Sequence, residues 1–569
     1  MPAAPLSLRS GRLPAGARQA ASARAGQVTY GVANFKSIAS AEITPHRLTI
    51  LAGANSSGKS SLLQALLFVA QSIGEPTTVL NGDLVQLGEP HDVLRDETSS
   101  LILDFRYGDE PVTLQVALGA LTDVSLAVEE LTLTAGSDLL LHAGLASTAS
   151  GAPSIYPDES LLAVTPDVNH GFNEPVYLTI VGLLPRRLIL RADMDLLNAG
   201  IERSIETLGT SPMVTAQQYA RMAQQVGGHE ELVALLTAAM RSSRDEAIKQ
   251  LVALGAERRD ELFILLRAAE APDGWVSEMV TSAPTRAFLP SVEQAGEGPR
   301  QDVIQQLATA SSEIRRLARA VMYLGPLRDE PRVAYPLGHT VRALPVGERG
   351  EFTAAYLQDN HRTRLSFGSP DGTMRSDTFK NAVSTWSEYL GIAEQISVVA
   401  KGKLGHEIGL QIAGRARDPT MIGVGASQLL PVIVLVLGAP QGSIVLLEQP
   451  ELHLHPKVQS RLADFFATAR PDVRLIIETH SEYLVTRLRL RVAEGCLPPD
   501  DVTFLFASLR RQGKAEESTL PVYTEFRRLR LTDLGDFSTW PDDFFDTLGN
   551  DAVSLAQAVQ ERLRTRGGS

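Results

Sequence analysis

The chain has 569 residues, enough for several domains, and 44% of them are hydrophobic, which excludes a wholly disordered protein. The net charge of −13 excludes a surface that is basic throughout, but it is compatible with a local basic groove for nucleic acid. The single cysteine, Cys496, excludes an intramolecular disulfide framework and favours a reducing, cytoplasmic location. We expect no membrane segment, because the longest apolar run is far shorter than the ~20 residues that span a bilayer.

The N-terminal segment, residues 1–27, is rich in Ala, Gly, Ser and Arg and contains no acidic residue. This composition predicts a disordered tail, and an Arg-rich organelle transit peptide is the alternative. Ordered structure is expected from residue 28 onward. There the alternation in "VTYGV" predicts a first strand, and "AEI" predicts a second one.

A phosphate-binding loop follows in "RLTILAGANSSGKSSLLQALLFVA". A short apolar strand leads into the pattern G-x-x-x-x-G-K-[ST], and leucines then recur at helical spacing. The glycines allow backbone N–H groups to converge on phosphate oxygens. Lys59 is expected to reach the β- and γ-phosphates and Ser60 to ligate Mg²⁺. The predicted nucleotide-binding residues of this loop are Gly53, Ala54, Asn55, Ser56, Ser57, Gly58, Lys59, Ser60 and Ser61.

A second apolar strand ends in acidic residues, in the segment "SIVLLEQPELHLHP". Glu448 at its tip is predicted to hold Mg²⁺, as the Walker B acid of P-loop ATPases does. The next position usually carries the base that orients the attacking water. Here that position is Gln449, whose amide cannot accept a proton. Glu451, two residues further on, is the alternative candidate for this catalytic role.

Three further side chains are candidates for the same site. His480 follows a third apolar strand, in "ETHSEYL", and is predicted to hydrogen-bond the γ-phosphate or the attacking water. Gln86, in "LNGDLVQLGEPHD", is a candidate contact to metal and water, with an exposed loop glutamine as the alternative. Arg328, in "YLGPLRDEPR", is expected either to reach phosphate or to form a surface salt bridge with Asp329 or Glu330.

Together the motifs "NFKSI", "GANSSGKSS", "GVGASQLLP", "EQPELHLHP" and "ETHSEYL" resemble those of ABC-type P-loop ATPases of the OLD and SMC-like AAA group. These are soluble bacterial proteins, many of them found in anti-phage defence systems. The resemblance implies ATP and Mg²⁺ as cofactors, ATPase activity, and an α/β fold with a mixed sheet flanked by helices. It also implies a head-to-tail dimer in which the phosphate loop of one chain meets the signature segment of another. The signature residues are then Gly423, Gly425 and Ser427, although Gly423 stands where the family carries a serine.

The long separation between Lys59 and Glu448 predicts a large insertion between two ATPase lobes. Residues from about 100 to 135 alternate like antiparallel strands, and helical spacing follows. Sustained heptads are missing from the sequence, so a long coiled coil is not expected. The segment "WPDDFFD" resembles part of a small uncharacterised domain that often ends such proteins. The expected domains are a disordered tail (1–27), an N-terminal ATPase lobe (28–150), a mainly helical insertion (151–320), a C-terminal ATPase lobe (321–490) and a small C-terminal α+β domain (491–569).

Two functions remain open at this point. The first is a slow, dimerising ATPase that acts as a motor or switch on DNA or on an effector in anti-phage defence. The second is a nucleotide-holding scaffold with negligible turnover that positions a partner such as a nuclease. Gln449 separates the two, since turnover depends on what replaces the missing base. Basic residues from Arg487 to Arg530 form either a DNA- or RNA-binding patch or an ordinary solvated face.

Overall fold

The computed structural model describes residues 28–95, 99–109, 111–122, 125–145, 160–166, 176–191, 230–262, 275–279, 299–338, 341–421, 425–511 and 522–539, with short stretches within 216–223 and 554–559. The expected disordered tail, Gly423 and the "WPDDFFD" segment lie outside these residues. The chain divides into two compact units. The first comprises Met1–Gln71, Asn81–Ser99 and Leu317–Ser569, and the second comprises Ser72–Leu80 and Ser100–Arg316.

The described residues form strands and helices in both units. The strands, in chain order, are β1 (Thr29–Phe35), β2 (Ile38–Ile43), β3 (Leu48–Gly53), β4 (Leu101–Tyr107), β5 (Val112–Thr122), β6 (Ser125–Ala135), β7 (Asp138–Leu145), β8 (Ser160–Val164), β9 (Val176–Val181), β10 (Leu184–Arg191), β11 (Trp275–Met279), β12 (Val321–Leu324), β13 (Arg364–Gly368), β14 (Met374–Thr378), β15 (Gln395–Ala400), β16 (His406–Ile412), β17 (Arg415–Arg417), β18 (Ile444–Glu448), β19 (Arg474–Glu478), β20 (Val502–Arg511) and β21 (Val522–Leu529). The helices are α1 (Lys59–Ser72), α2 (Pro90–Val93), α3 (Glu230–Met240), α4 (Arg244–Glu257), α5 (Pro299–Ala320), α6 (Thr353–Asn360), α7 (Phe379–Leu390), α8 (Gly425–Gly438), α9 (Pro456–Thr468) and α10 (Glu482–Ala493).

The first unit contains a mixed sheet with the strand order β1-β2-β21-β20-β3-β19-β18-β12. Its five strands from β20 to β12 run parallel, whereas β1 pairs with β2 and β20 with β21 in antiparallel fashion. Parallel strands covered by helices are shielded from water on both faces, which explains why every residue of β18 is apolar except the last and all are buried. The predicted fold class, an α/β P-loop NTPase with a mixed sheet flanked by helices, is confirmed.

The parallel register brings the ends of three strands to one edge of this sheet. Glu448 at the end of β18 lies opposite Glu478 at the end of β19, and Glu478 lies opposite Leu51 of β3. The chain leaves β3 at Gly53 and enters the predicted phosphate loop before α1. Because the carboxyl ends of parallel strands border the ligand crevice, the three sequence motifs meet at this edge.

The segment 491–569, expected to form a separate small domain, supplies two strands to the same sheet. β20 pairs in parallel with β3, the strand that leads into the phosphate loop, and β21 lies between β20 and β2. The strand-forming tendency of a segment is local, whereas its place in a sheet depends on long-range packing. The expected domain boundary at residue 491 stays a prediction, and the described strands after it belong to the sheet of the first unit.

The second unit contains an antiparallel sheet with the order β11-β10-β9-β8-β7-β6-β5-β4. Strands β4 to β6 bear out the alternation seen from about 100 to 135. The segment 151–320, expected to be mainly helical, contains β8 to β11 as well as α3, α4 and α5 in its described part. Its short apolar runs in β8, β9 and β10 are strands, whereas the helical spacing holds in α3, α4 and α5. Of the helices described, none has the length and apolar character needed to cross a bilayer.

Candidate active site

The phosphate loop joins β3 to α1 through three positive φ angles, at Gly53 (+141°), Ser56 (+59°) and Gly58 (+92°). The two fixed glycines of the motif are also required by their neighbours. A Cβ on Gly53 would collide with the main-chain carbonyl of Ala507 in β20, and a Cβ on Gly58 would collide with the hydroxyl of Thr524 in β21. The strands after residue 500 thus press directly against the loop, so only glycine fits at these positions.

A cavity of about 420 Å³ opens at this loop. It is lined by the loop residues 55–61 and by Ser37, Gln449, Glu478 and His480. The structure therefore brings together seven of the nine predicted loop residues and one predicted residue from each of the other two strand tips. Loop N–H groups and the N-terminus of the 14-residue helix α1 favour the binding of an anion here, such as a phosphate group.

Lys59 begins α1 and lies back over the loop. Its ammonium nitrogen donates hydrogen bonds to the carbonyl oxygens of Gly53, at 3.1 Å, and Ala54, at 2.6 Å. Burial lowers the pKa of Lys59, and the negative charge of Glu478 offsets part of that effect. The two carbonyls take two of the three ammonium donors. Phosphate oxygens form stronger, charge-assisted bonds with the same group, so Lys59 is suited to the role predicted for it.

Ser60, the predicted Mg²⁺ ligand of the loop, donates its hydroxyl to Oε1 of Glu478 at 3.0 Å. Glu478 is only 3% exposed, and its Oε2 is buried without a hydrogen-bond partner among the residues described. Burial raises the pKa of Glu478, whereas the Ser60 hydroxyl and the charge of Lys59 lower it, with a net rise. The sequence motifs did not point to this carboxylate. The available signal was an acidic residue at the end of a third apolar strand, directly before Thr479.

Glu448, predicted to hold Mg²⁺, accepts a hydrogen bond on Oε1 from the hydroxyl of Tyr323, at 2.8 Å. Burial, and then the negative charge of Glu478, raises the pKa of Glu448 to about 7, against opposing effects of Tyr323 and Arg328. Glu448 is not among the residues that line the cavity. Its metal-binding role stays a prediction, and the contact seen here is with a tyrosine rather than with Ser60.

Gln449 lies at the cavity with a positive φ of +43°. Its main-chain N–H donates to the carbonyl of Glu478 at 2.9 Å, and its carbonyl accepts from Arg328 at 2.8 Å. Arg328 also donates to the carbonyl of Glu448 at 2.8 Å. Burial lowers the pKa of Arg328 to about 10. Arg328 thus holds the main chain of the strand tip, which matches neither the phosphate contact nor the surface salt bridge expected from the sequence.

Glu451 and His480 are linked through the main chain. Oε1 of Glu451 accepts the N–H of His480 at 2.7 Å, so this carboxylate fixes the position of the histidine. The carboxylate itself does not line the cavity, and its role as a base stays a prediction. Burial, and then the charge of Lys59, lowers the pKa of His480. This shift favours the neutral imidazole, which has one donor and one acceptor.

The remaining predicted site residues do not line this cavity. Gln86 is exposed, and Gln71 instead ties α1 to the main chain of that loop. Gly425 begins α8, and Ser427 is buried in its first turn. Gly423 lies outside the described residues. The resemblance assigns these signature residues to the site of a second chain, and their role in nucleotide binding stays a prediction.

The described residues contain no group of three or more His, Cys, Asp or Glu side chains that could hold a metal ion alone. Mg²⁺ that is delivered with a nucleotide usually combines one or two carboxylates with phosphate oxygens and water. The Ser60 hydroxyl and the unpaired oxygen of Glu478 are suitable hard oxygen ligands at the cavity.

The late basic residues are partly neutralised within the chain. Arg487 and Arg491 pair with Asp464 at 3.0 and 2.6 Å, and Arg489 pairs with Asp536 at 2.9 Å. An arginine already paired with a carboxylate contributes less to phosphate attraction. These three arginines form ion pairs within the chain, and the nucleic-acid patch stays a prediction.

A family model described as "AAA domain, putative AbiEii toxin, Type IV TA system" matches residues 48–110 and 416–486. These segments contain the phosphate loop and the strands that end at Glu448 and Glu478. These two segments of the chain are therefore similar to an AAA domain. The match covers less than half of the 569 residues, and within the second unit it reaches only residues 72–80 and 100–110.

No curated protein matches the sequence significantly. Among solved structures, similarity is found to the Smc head domain with an extended coiled coil bound to the C-terminal domain of ScpA, from Pyrococcus furiosus, with 11% identity over 88% of this chain and 96% of that chain and a TM-score of 0.29. The Smc head domain with a coiled coil and joint from Pyrococcus yayanosii is 11% identical over 89% of this chain and 96% of that chain, with a TM-score of 0.31. The SMC head domain from Thermotoga maritima is 9% identical over 85% of this chain and 95% of that chain, with a TM-score of 0.29. TM-scores this low carry no argument about this chain, and the fold assignment rests on its own sheet order.

Proposed function

We propose that the protein is a dimerising ATPase that binds ATP with Mg²⁺, hydrolyses it slowly, and acts as a motor or switch on DNA or on an effector protein. The observation that carries this proposal is the single cavity lined by the phosphate loop, Gln449 and His480. The match of both motif-bearing segments to an AAA domain supports ATP as the ligand.

The residues at the cavity bind and orient rather than form covalent bonds. Loop N–H groups and Lys59 hold the β- and γ-phosphates, and neutral His480 hydrogen-bonds the γ-phosphate or the attacking water. Mg²⁺, when bound, neutralises charge that develops on the phosphates. Gln449 orients water without taking its proton, and the missing general base costs roughly 10²–10⁴ in rate. Phosphoryl transfer depends mainly on positioning and charge stabilisation, so slow turnover remains.

The proposed dimer places the signature segment of one chain against the phosphate loop of another. Gly425 at the start of the 14-residue helix α8 supports this, because first-turn N–H groups of a helix attract anions. The resemblance to the OLD and SMC-like group, with the toxin–antitoxin description of the AAA model, supports a role in anti-phage defence.

A second function is favoured by the same glutamine. With a neutral amide at the position of the base, the protein holds ATP for long periods and serves as a scaffold that positions a partner such as a nuclease. Phosphate release by the wild-type protein separates the two functions. Turnover that proceeds slowly, well below the ~10 s⁻¹ median of enzymes, supports the switch, and turnover indistinguishable from zero supports the scaffold.

Light scattering with and without ATP–Mg²⁺ tests the assembly. The wild-type mass should increase with ATP–Mg²⁺, whereas Gly425→Asp, which adds a negative charge where the second chain would meet phosphate, should remain unchanged. An identical mass for both proteins in both conditions would contradict the shared site.

A further inference from the structure

Two buried carboxylates end neighbouring strands at the candidate site, and their neighbours differ. Glu478 belongs to β19, which pairs directly with β3, the strand that runs into the phosphate loop. Glu448 belongs to β18, one strand further from β3. The sequence motif nominates Glu448 as the metal-binding acid. The sheet order places Glu478 between that acid and the loop.

The hydrogen bonds of the two side chains follow this order. Glu478 accepts the Ser60 hydroxyl at 3.0 Å and lines the cavity. Glu448 accepts the Tyr323 hydroxyl at 2.8 Å and does not line it. Glu448 also receives compensation from the nearby positive charge of Arg328. The described residues thus provide Glu448 with a neutral donor and a nearby cation, both outside the cavity.

The charge of Lys59 partly compensates the Glu478 carboxylate, but its second oxygen lacks a hydrogen bond. Oε2 is buried without a hydrogen-bond partner in the described structure, in a residue that is 3% exposed. A buried unsatisfied carboxylate oxygen is costly, so its retention at a cavity needs an explanation. The ammonium group of Lys59, whose charge lowers the pKa of Glu478, already donates to two loop carbonyls. A cation that arrives with the ligand satisfies this oxygen.

The contact with Ser60 is chemically consistent with the same role. A hydroxyl that ligates a cation uses an oxygen lone pair, so its hydrogen must find another acceptor. Oε1 of Glu478 already accepts that hydrogen. Carboxylate partners of metal-binding groups orient those groups and strengthen their binding.

We propose that Glu478, rather than Glu448, is the protein carboxylate that binds the Mg²⁺ of the bound nucleotide, with Ser60 as its partner. This inference rests on the proposed nucleotide-binding function. It explains why an acid ends the third strand: the metal-binding carboxylate lies on the strand beside the phosphate loop, and Glu448 supports the neighbouring tip through Tyr323.

Mn²⁺ serves as the probe, because its unpaired electrons report binding without any turnover. The full-length protein is saturated with a non-hydrolysable ATP analogue, and free Mn²⁺ is measured by electron paramagnetic resonance. Glu478→Gln, which keeps the size of the side chain and removes its charge, should weaken Mn²⁺ binding by about 10- to 100-fold, the usual cost of losing a supporting group at a metal site. The matched variant Glu448→Gln should weaken Mn²⁺ binding much less than Glu478→Gln does. The reverse order would assign the metal to Glu448 and overturn the proposal.

A second variant protects the test against a folding defect. Glu478→Asp keeps the negative charge and should bind Mn²⁺ more tightly than Glu478→Gln, whereas equal affinities would contradict a direct role of the charge. Binding of the analogue in EDTA tests the underlying function separately. If the wild-type protein does not bind the analogue, nucleotide binding itself is wrong. If it does bind and Mn²⁺ affinity is unchanged in Glu478→Gln, only the assignment of Glu478 is wrong.

Discussion

Buried carboxylates occur at two places in the first unit, and they are treated differently. Asp464 of α9 accepts hydrogen bonds on both oxygens, from Tyr389 at 2.6 Å, from Arg487 at 3.0 Å and from Arg491 at 2.6 Å. Burial raises the pKa of Asp464, but the hydrogen bonds from Arg487, Arg491 and Tyr389 outweigh it and leave the pKa below its ordinary range. This charge is fully paired within the chain, so its role is to stabilise the fold.

At the strand tips beside the phosphate loop, burial affects the carboxylate pKa values more than the neighbouring partners do. Burial raises the pKa of Glu448, Glu451 and Glu478, and partners in the described structure do not reverse it. One oxygen of Glu451 and one of Glu478 have no hydrogen-bond partner among the described residues. Perturbed acids of this kind concentrate at functional sites. All these carboxylates are buried, so burial does not distinguish them. Hydrogen bonds to both oxygens mark the structural carboxylate, and an oxygen without a partner marks a candidate for ligand binding.

The largest expected effect on activity comes from adding a carboxylate beside Glu448, Glu451 and Glu478. Gln449→Glu supplies the missing general base and should raise steady-state turnover, by up to the roughly 10²–10⁴ that such a base contributes. If Glu451 already acts as the base, Gln449→Glu changes little and Glu451→Gln silences the enzyme. Phosphate release by the two variants decides between these outcomes. A fast wild-type rate that neither variant changes would contradict both.

The next largest effect, on stability, comes from removing the ion pairs of Asp464 with Arg487 and Arg491. Asp464→Ala leaves two arginines without their buried partner and should lower the free energy of unfolding by about 3–5 kcal/mol. Asp536→Ala is the matched control, because its ion pair with Arg489 has a carboxylate that is 69% exposed, and such a pair contributes only about 0–1 kcal/mol. Denaturant unfolding measures both. Similar losses in the two variants would show that pairing at Asp464 is not special.

Asp464 and Glu448 should contribute to the pH dependence of stability with opposite signs. The pKa of Asp464 is lowered in the folded state, so its stabilising contribution is present above the unfolded pKa of about 3.9 and is lost as pH falls through the folded value. The pKa of Glu448 is raised to about 7, so the folded protein loses stability as pH rises from about 4.5 to 7.

Glu448→Gln removes the second titration. It should reduce the loss of unfolding free energy between pH 4.5 and 7 by up to about 3 kcal/mol, since one pKa unit corresponds to about 1.4 kcal/mol. Thermal or denaturant unfolding across this range, in the absence of nucleotide, provides the measurement. A pH profile identical to that of the wild type would show that folding does not raise the pKa of Glu448.

The parts of the site that the sequence predicted are those encoded by contiguous motifs. Lys59, Gln449 and His480 each follow an apolar strand, and parallel pairing brings such strand ends together whatever lies between them. The parts that it missed depend on contacts between distant segments. Thr524 against the phosphate loop and Glu478 against Ser60 are set by sheet order, which no local pattern encodes.

The same limit explains the domain boundaries. The alternation that predicted antiparallel strands was correct because period-two patterns are local. Assigning 491–569 to a separate domain failed to foresee that β20 pairs with β3, because that choice is made by long-range packing.

The central claim is that the cavity at the phosphate loop binds ATP, and equilibrium titration of ATP–Mg²⁺ by calorimetry tests it most directly. The wild-type protein should bind, and Lys59→Ala should bind at least about 10-fold more weakly, because a hydrogen bond to a charged group contributes about 1.5–3 kcal/mol. Lys380→Ala, an exposed lysine on α7, is the control and should bind like the wild type. Unchanged affinity in Lys59→Ala, or no binding by the wild-type protein, would contradict the account.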